Sequence, residues 1–276
     1  MTATPDWSEL SRFAITLARA SEAEILPHFR KNAAVDVKSG PIFDPVTEGD
    51  RAGERMIRKM IEETYPDHGI LGEEYGEKPS RSGFTWVLDP VDGTRAFICG
   101  MPTWATLIAL TYEGEPRLGV MNQPYVGDLF YGTPEGAWLI YGGETKPIRA
   151  RQGIALKDAT AGTTAPELYR KPKDAAAFSR LQKAARLMRF GGDAYFFAVL
   201  AAGHLDIALD AALQSYDIAA LIPIIRGAGG AVGSWDGGDP AKGGNVITAG
   251  SQTLLDEAIA VMNDAPEPSG PRFRLL

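Results

Sequence analysis

The stretch Trp86-Val87-Leu88-Asp89-Pro90-Val91-Asp92-Gly93-Thr94 carries the densest chemistry in this 276-residue chain. An apolar run leads into Asp89, and Pro90 and Gly93 are expected to turn the chain sharply after it. Across such a turn the carboxylates of Asp89 and Asp92 can point at one spot, with the Val91 carbonyl between them. Hard oxygen donors in that arrangement suit Mg²⁺. Gly93 and Thr94 then present backbone N–H groups, and a helix starting there would hold a phosphate at its N-terminus. An isolated Asp-x-x-Asp is equally an ordinary strand-turn segment with solvated aspartates, so other segments must add weight.

Gly72-Glu73-Glu74 follows the apolar pair Ile70-Leu71 and can set Glu73 at a strand end, although a surface acidic pair reads the same way. Thr47-Glu48-Gly49-Asp50 opens a helix, where Thr and Asp are ordinary start residues. Ser215-Tyr216-Asp217-Ile218-Ala219-Ala220 sets an Asp at the start of a very apolar helix, which is again compatible with a cap. His28, His68 and His204 have no metal-ligand spacing to one another and read as structural or surface residues. Trp104 reads as core.

Periodicity predicts the elements that must position these groups. Asp6 with Glu9 forms a capping-box variant, and Leu10, Phe13, Ala14 and Leu17 recur at helical spacing, so a first helix is expected to reach about Phe29. Residues 37–46 are rich in Gly, Pro and Asp and read as a loop or hairpin. A second helix starts near Thr47 and carries Met56, Ile57, Met60 and Ile61 inward until Pro66 and Gly69. Strands are predicted at 85–88, 106–112, 118–122, 128–131 and 137–141, with connections too short for helical crossovers, hence antiparallel pairs. Beyond Arg149, helices at 173–185, 194–202, 218–226 and 253–262 alternate with strands at 187–190, 205–209, 231–234 and 245–249, an α/β pattern. The expectation is one unit, with an N-terminal α+β half over about 1–150 and a C-terminal α/β half over about 151–265. The Pro-rich residues 264–271 are expected to be loose.

The formal net charge of -7 and sequence pI of about 5.1 leave no electrostatic footprint for nucleic acid. An acidic protein that handles anions needs a bound cation. The single cysteine, Cys99, allows no intrachain disulfide framework and fits a reducing compartment. The first residues carry no signal-peptide pattern. No apolar run approaches the roughly 20 residues that cross a bilayer, since the stretch 205–225 is broken by Asp206, Asp210 and Asp217. A cytoplasmic protein with no membrane partner is expected.

In chain order, Pro45-Val46-Thr47-x-x-Asp50, Gly72-Glu73-Glu74, Asp89-Pro90-Val91-Asp92-Gly93-Thr94, and Tyr216-Asp217-Ile218-Ala219-Ala220 with Gly229-Gly230 resemble the inositol monophosphatase family of Mg²⁺-dependent, lithium-sensitive phosphatases. The resemblance implies a layered αβαβα sugar-phosphatase fold, a homodimer, and two or three Mg²⁺ per active site. It implies that Glu73, Asp89 and the Val91 carbonyl hold one metal, and that Asp89, Asp92 and Asp217 hold a second. It further implies that Thr94 and Glu73 orient the attacking water, that Asp50 supports Thr94, and that the N–H groups of Gly93 and Thr94 bind phosphate. Such carboxylates would repel one another without a cation; with metals they form a two-metal hydrolytic site. Two positions depart from the family pattern. Tyr216 stands where Trp is usual, and Arg226 where Glu is common; Arg226 is no ligand, so metal binding is expected to survive it.

Asp92 to Trp104, and Gly191-Gly192-Asp193-Ala194-Tyr195 with Asp206 and Asp210, are similar to the histidinol-phosphate phosphatase branch. The implied substrate is L-histidinol phosphate, an intermediate of histidine biosynthesis, held by Asp92, Gly93, Thr94, Gly192, Asp193 and Asp210. A cationic amine favours the acidic pair Asp193 and Asp210, although carboxylates also accept the hydroxyls of a polyol. Asp193 fits a helix cap equally well, and Arg95 either touches substrate or is a surface charge. The competing readings are an inositol-1-phosphate or other sugar or nucleotide phosphatase, an aspartyl-phosphate phosphatase (whose Asp-x-Asp-Gly-Thr motif is one residue shorter), and a non-catalytic Mg²⁺ or phosphate-binding protein.

Overall fold

The computed structural model describes residues 5–31, 36–37 and 45–264. Helix α1 (Trp7–Ile25) starts where the Asp6 carboxylate accepts the N–H groups of Ser8 and Glu9 at 3.0 and 3.1 Å. It is shorter than predicted. Pro27 has no N–H to continue the ladder, and residues Leu26–His28 form a single 3₁₀ turn. Strands β1 (Asp36–Val37) and β2 (Pro45–Val46) pair antiparallel, as a hairpin would; 38–44 between them lie outside the described residues, as do 265–271 of the tail predicted to be loose. Helix α2 (Glu48–Thr64) follows directly.

Strands β3 (Gly69–Gly72), β4 (Gly76–Lys78), β5 (Phe84–Asp92), β6 (Ala105–Tyr112), β7 (Glu115–Gln123), β8 (Asp128–Thr133), β9 (Gly136–Tyr141) and β10 (Glu144–Pro147) form one sheet in the order β10-β9-β8-β7-β6-β5-β3-β4. Helix α3 (Thr94–Ile98) lies between β5 and β6 in the chain. All neighbours are antiparallel except β3 and β5. A second sheet is built from β11 (Thr160–Thr163), β12 (Leu187–Phe190), β13 (Ile207–Leu213), β14 (Ala231–Gly233) and β15 (Gly244–Ala249), ordered β12-β11-β13-β15-β14. Helices α4 (Pro172–Ala184), α5 (Asp193–Ala201), α6 (Ser215–Ile218), α7 (Leu221–Gly227) and α8 (Gln252–Asn263) complete the chain. Its parallel pairs, β11–β12 and β11–β13, are spanned by the helical crossovers that parallel strands require.

Side-chain alternation on the strands sets the layers. Trp86 and Leu88 of β5 join Leu17 of α1 and Ile57 and Ile61 of α2 in one core. Val87, between them, faces the opposite side and joins Phe197 of α5, Leu221 and Ile224 of α7, and Ala208 and Val246 of the second sheet. Ile207, Leu209 and Ile247 face outward under Phe178 of α4 and Leu254 and Leu255 of α8. The result is the layered αβαβα arrangement, α+β in its first half and α/β in its second.

The structure corrects three local expectations. The strand predicted at 85–88 does not turn at Pro90. β5 continues to Asp92, pairing Asp89 with Leu107 and Asp92 with Ala105, and a bulge between those pairs absorbs the proline, which has no N–H to donate. The turn comes at Gly93, whose φ of 77° is left-handed. The strand predicted at 205–209 is displaced to β13, so Asp210 sits within it. The helix predicted at 218–226 is divided into α6 and α7. Among the described residues, no helix is long and apolar enough to cross a membrane.

Helix α7 lies almost in contact with the sheet backbone. A Cβ at Gly132 of β8 would stand 2.4 Å from Ile224 Cα, and one at Gly119 of β7 would stand 1.8 Å from the Ala220 carbonyl oxygen. Gly132→Ala is therefore expected to push α7 off the sheet and cost roughly 1–3 kcal/mol, the usual scale of overpacking. Urea unfolding should show a lower midpoint at unchanged slope. An unaltered midpoint would mean that this contact does not anchor α7.

Candidate active site

The bulge in β5 turns Asp89 and Asp92 toward the same space, and the neighbouring parallel strand brings Glu73 beside them. β3 ends at Gly72, and the Glu73 N–H donates to the Leu88 carbonyl at 3.2 Å, next to Asp89. Helix α6 supplies Asp217. Gln214, not Asp217, occupies the N-cap position; Asp217 is the third helical residue and reaches back to accept the Gln214 N–H at 2.7 Å. Oxygens of Asp89, Asp92 and Asp217 all lie within 4.8 Å of one another.

Asp89 and Asp92 are likewise fastened to the backbone. Asp89 accepts the Val91 N–H at 3.1 Å, and Asp92 accepts the N–H of Ala194, in the first turn of α5, at 2.8 Å. At the start of α2, Thr47 and Asp50 form a reciprocal capping box, with the Thr47 N–H donating to Asp50 Oδ2 at 2.9 Å. This leaves Asp50 Oδ1 facing Thr94. Thr94 Oγ1 lies 3.1 Å from the Val91 carbonyl and 3.5 Å from Asp50 Oδ1, so its one hydrogen is better placed on Val91. Gly93 meets a second requirement besides its backbone conformation, because a Cβ there would come within 3.0 Å of the Asp193 carboxylate carbon.

Burial, reinforced at the metal cluster by neighbouring acids, raises the pKa values of these carboxyls. Asp89 stands well above the ordinary carboxylate range, chiefly through burial and then through the charges of Glu73, Asp92 and Asp217. Asp92 is raised well above that range as well, by burial and then by Asp193 and Asp217. Burial lifts Asp50 to about 6 against its hydrogen bonds from Thr47. Burial also lifts Asp193 to about 6, opposed by the Thr103 hydroxyl and by the Arg95 charge. Asp210 reaches about 7, burial outweighing the donors of Thr163 and Thr164. A donor set of carboxylates held together at this cost fits a hard divalent cation, which removes the repulsion and takes oxygen ligands.

A cavity of about 460 Å³ opens over the cluster, walled by Glu73, Asp89, Asp92, Thr94, Asp193 and Asp217. A second, of about 320 Å³, shares Glu73, Asp92, Asp193 and Asp217 and continues to Asp210 and Tyr216. Arg95 lines both. Asp193 is not a helix cap. It is the first residue of α5 with φ 44°, and its carboxylate accepts from Thr103 Oγ1 at 3.3 Å. Asp210 is 3% exposed and accepts from Thr163 Oγ1, Thr164 N and Thr164 Oγ1 at 2.6 to 2.8 Å.

Gly192 does not reach either cavity. It is buried under the Phe196 ring, where a Cβ would stand 2.1 Å from Cγ, and Gly191 takes the wall position instead. Asp206 is a structural ion-pair partner of Arg151, with contacts of 2.8 and 2.6 Å. Arg226 borders a separate cleft with Pro116 and Arg117. Trp104 is buried against Phe29 and Phe97, as its composition suggested. His68 is stacked between Tyr65 and Phe84, accepts from Trp86 Nε1 at 3.1 Å, and is lowered to about 4 by burial, while His28 and His204 line neither cavity. Sequence reasoning assigned no role to Thr103, Thr163 or Thr164; single threonines carry no motif, and only the fold shows which carboxylates they serve.

The profile of the Inositol monophosphatase family matches residues 6–266. The bifunctional phosphatase IMPL2, chloroplastic, of Arabidopsis thaliana is 35% identical over 91% of this chain and 75% of its own length. A histidinol-phosphatase of Chlorobaculum parvum is 33% identical over 95% of this chain and 98% of its own. The structure of an inositol monophosphatase from Zymomonas mobilis superposes with a TM-score of 0.82 at 35% identity, covering 94% of this chain and 99% of that one. A family match over almost the whole chain, together with relatives named as phosphatases, shows that the protein belongs to the inositol monophosphatase family and is a phosphoric monoester hydrolase.

Proposed function

We propose that the protein hydrolyses L-histidinol phosphate to L-histidinol and phosphate, using two or three Mg²⁺ per site. The observation that carries the substrate is the pair Asp193 and Asp210: Asp193 stands over Gly93 beside the phosphate turn, and the cavity continues from it to Asp210, so acid lines the side where an amine would lie. The name of the Chlorobaculum relative agrees with it. Glu73, Asp89 and the Val91 carbonyl would hold one Mg²⁺, and Asp89, Asp92 and Asp217 another. When bound, Mg²⁺ lowers the pKa of water and neutralises charge on the phosphoryl oxygens.

The chain's own groups do the rest by positioning. The Gly93 and Thr94 N–H groups donate to phosphate oxygens. Because the Thr94 hydroxyl spends its hydrogen on Val91 or Asp50, its lone pairs are left to accept a hydrogen from the attacking water. Glu73 takes the proton as the new P–O bond forms, and the leaving alcohol recovers a proton from solvent as the ester P–O bond breaks. A second reading within the same chemistry is inositol 1-phosphate, because carboxylates also accept hydroxyls and the Zymomonas neighbour is named an inositol monophosphatase.

Phosphate release from histidinol phosphate and inositol 1-phosphate, compared with and without Mg²⁺, tests the assignment. Metal-dependent turnover of histidinol phosphate alone is expected. Turnover of inositol 1-phosphate alone would reject the substrate and keep the chemistry. Asp193→Asn should raise KM for histidinol phosphate by roughly 10-fold or more, the scale of a hydrogen bond between charged groups, and leave kcat little changed. Thr94→Ala should instead lower kcat by about 100-fold. An equal KM for Asp193→Asn and wild type would remove Asp193 from the amine contact.

The raised carboxyls also make a pH prediction for the metal-free protein. Asp50, Asp193 and Asp210 hold protons in the folded state up to about 6, 6 and 7, against an ordinary value of 3.8. The folded chain therefore binds more protons than the unfolded one, and this contribution to stability is lost as pH rises through those values. Raising the pH from about 5.5 to about 8 should lower Tm without metal, and the Tm gain on adding Mg²⁺ should be larger at the higher pH. A Mg²⁺ effect that is the same at both pH values would contradict a carboxylate-bound cation.

A further inference from the structure

Glu54, like Asp206, is an acid outside the metal cluster with no exposed surface, but neither motif nor mechanism accounts for it. It lies on the inward face of α2, among positions expected to be apolar. Its Oε2 accepts the Glu74 N–H at 2.8 Å, and its Oε1 accepts the Tyr75 N–H at 3.1 Å and Arg58 Nε at 2.7 Å. Arg58, one helical turn on, also donates to the Gly76 carbonyl. Together they grip the short loop 73–75, which joins β3 to β4 where Gly72 pairs with Gly76.

That loop begins with Glu73. One end of Glu73 is pinned by its N–H to the Leu88 carbonyl, and the next two amides are pinned by Glu54. Gly72 is the counterpart of this grip, because a Cβ there would come 1.9 Å from Glu54 Oε1. The reach of Glu54 and the absence of a side chain at Gly72 therefore require each other. A buried carboxylate filled with donors costs less than the same donors left empty, so the loop has one stable setting.

We propose that Glu54 is a positioning residue that sets Glu73 against Asp89 by holding the backbone of residues 74 and 75. The proposal rests on the reading of Glu73 as a metal-binding and water-orienting group. Glu54→Gln keeps the shape but puts an amide NH₂ where an oxygen accepted. Calorimetric Mg²⁺ binding should weaken by roughly 10-fold, as for other groups that support a ligand from behind. KM for the phosphate ester at saturating Mg²⁺ should stay within about 2-fold.

The decisive measurement is the double-mutant cycle with Glu73→Gln. If Glu54 acts through Glu73, Glu54→Gln has no further effect on Mg²⁺ binding in that background. Should Glu54→Gln prove insoluble, Arg58→Met replaces it in the same cycle, with a smaller loss in the same direction. Loss of Mg²⁺ binding in Glu73→Gln, but not in Glu54→Gln, would overturn the positioning role alone. Unchanged binding in both would overturn the reading of Glu73 with it. Equal additive losses would show that Glu54 acts on stability, not on Glu73.

Discussion

Glu73, Asp89, Asp92 and Asp217 converge on one cavity, Asp89 buried and the other three half-buried, and their repulsion is the constraint that the remainder of the structure answers. Left to themselves, these groups would separate or stay protonated; Asp89 and Asp92 are indeed raised well above the ordinary carboxylate range by burial and by their neighbours. The fold holds them by giving carboxylates their own backbone donors: Val91 for Asp89, Ala194 for Asp92, Gln214 for Asp217. Hydrogen bonds to a charged acceptor are worth about 1.5–3 kcal/mol each, enough to keep the acids in place but not enough to cancel several like charges. The remaining imbalance is what a bound divalent cation would offset, and such a cation would let a chain of net charge -7 receive an anion.

The layered architecture makes that convergence possible. Asp89 and Asp92 come from the first sheet, Asp217 from the helices between the sheets, and Asp210 from the second sheet. The middle layer must therefore lie close to the first sheet, which Gly119 and Gly132 permit by offering bare backbone to α7. Asp92 performs two tasks in this arrangement. It faces the cavity, and it caps the start of α5 from the opposite sheet, so the two halves of the chain are joined at the site itself. A fold alone does not fix the substrate, and under the proposed function the choice among phosphate esters would fall to wall groups such as Asp193 and Asp210.

Asp193 and Asp210 differ in how they are served. Asp210 accepts three hydrogen bonds from Thr163 and Thr164, whereas among the described residues Asp193 accepts from Thr103 and has the Arg95 charge nearby. The Asp193 carboxylate consequently retains more free accepting capacity toward the cavity. Its left-handed backbone, unusual outside glycine, is a local cost of placing that group over Gly93.

Local patterning determined what neighbouring residues can settle among themselves. The helix starts at Asp6 and Thr47, the apolar stripe of α1, the turn at Gly93 and the oxygen-rich sequence from Asp89 to Thr94 were all readable, because each depends on residues a few positions apart. The tertiary structure alone decided the rest. Pairing with β6 carries β5 through Pro90 by means of a bulge that no local signal announces. Packing of Phe196 hides Gly192 and leaves Gly191 on the wall. Asp92 meets its donor 102 residues away, and Glu54 finds its amides 20 and 21 residues away, in a face of α2 whose periodicity called for apolar side chains. Such contacts are absent from the sequence pattern because periodicity encodes the direction in which a side chain leaves its own element, whereas its partner is set by how separate layers pack.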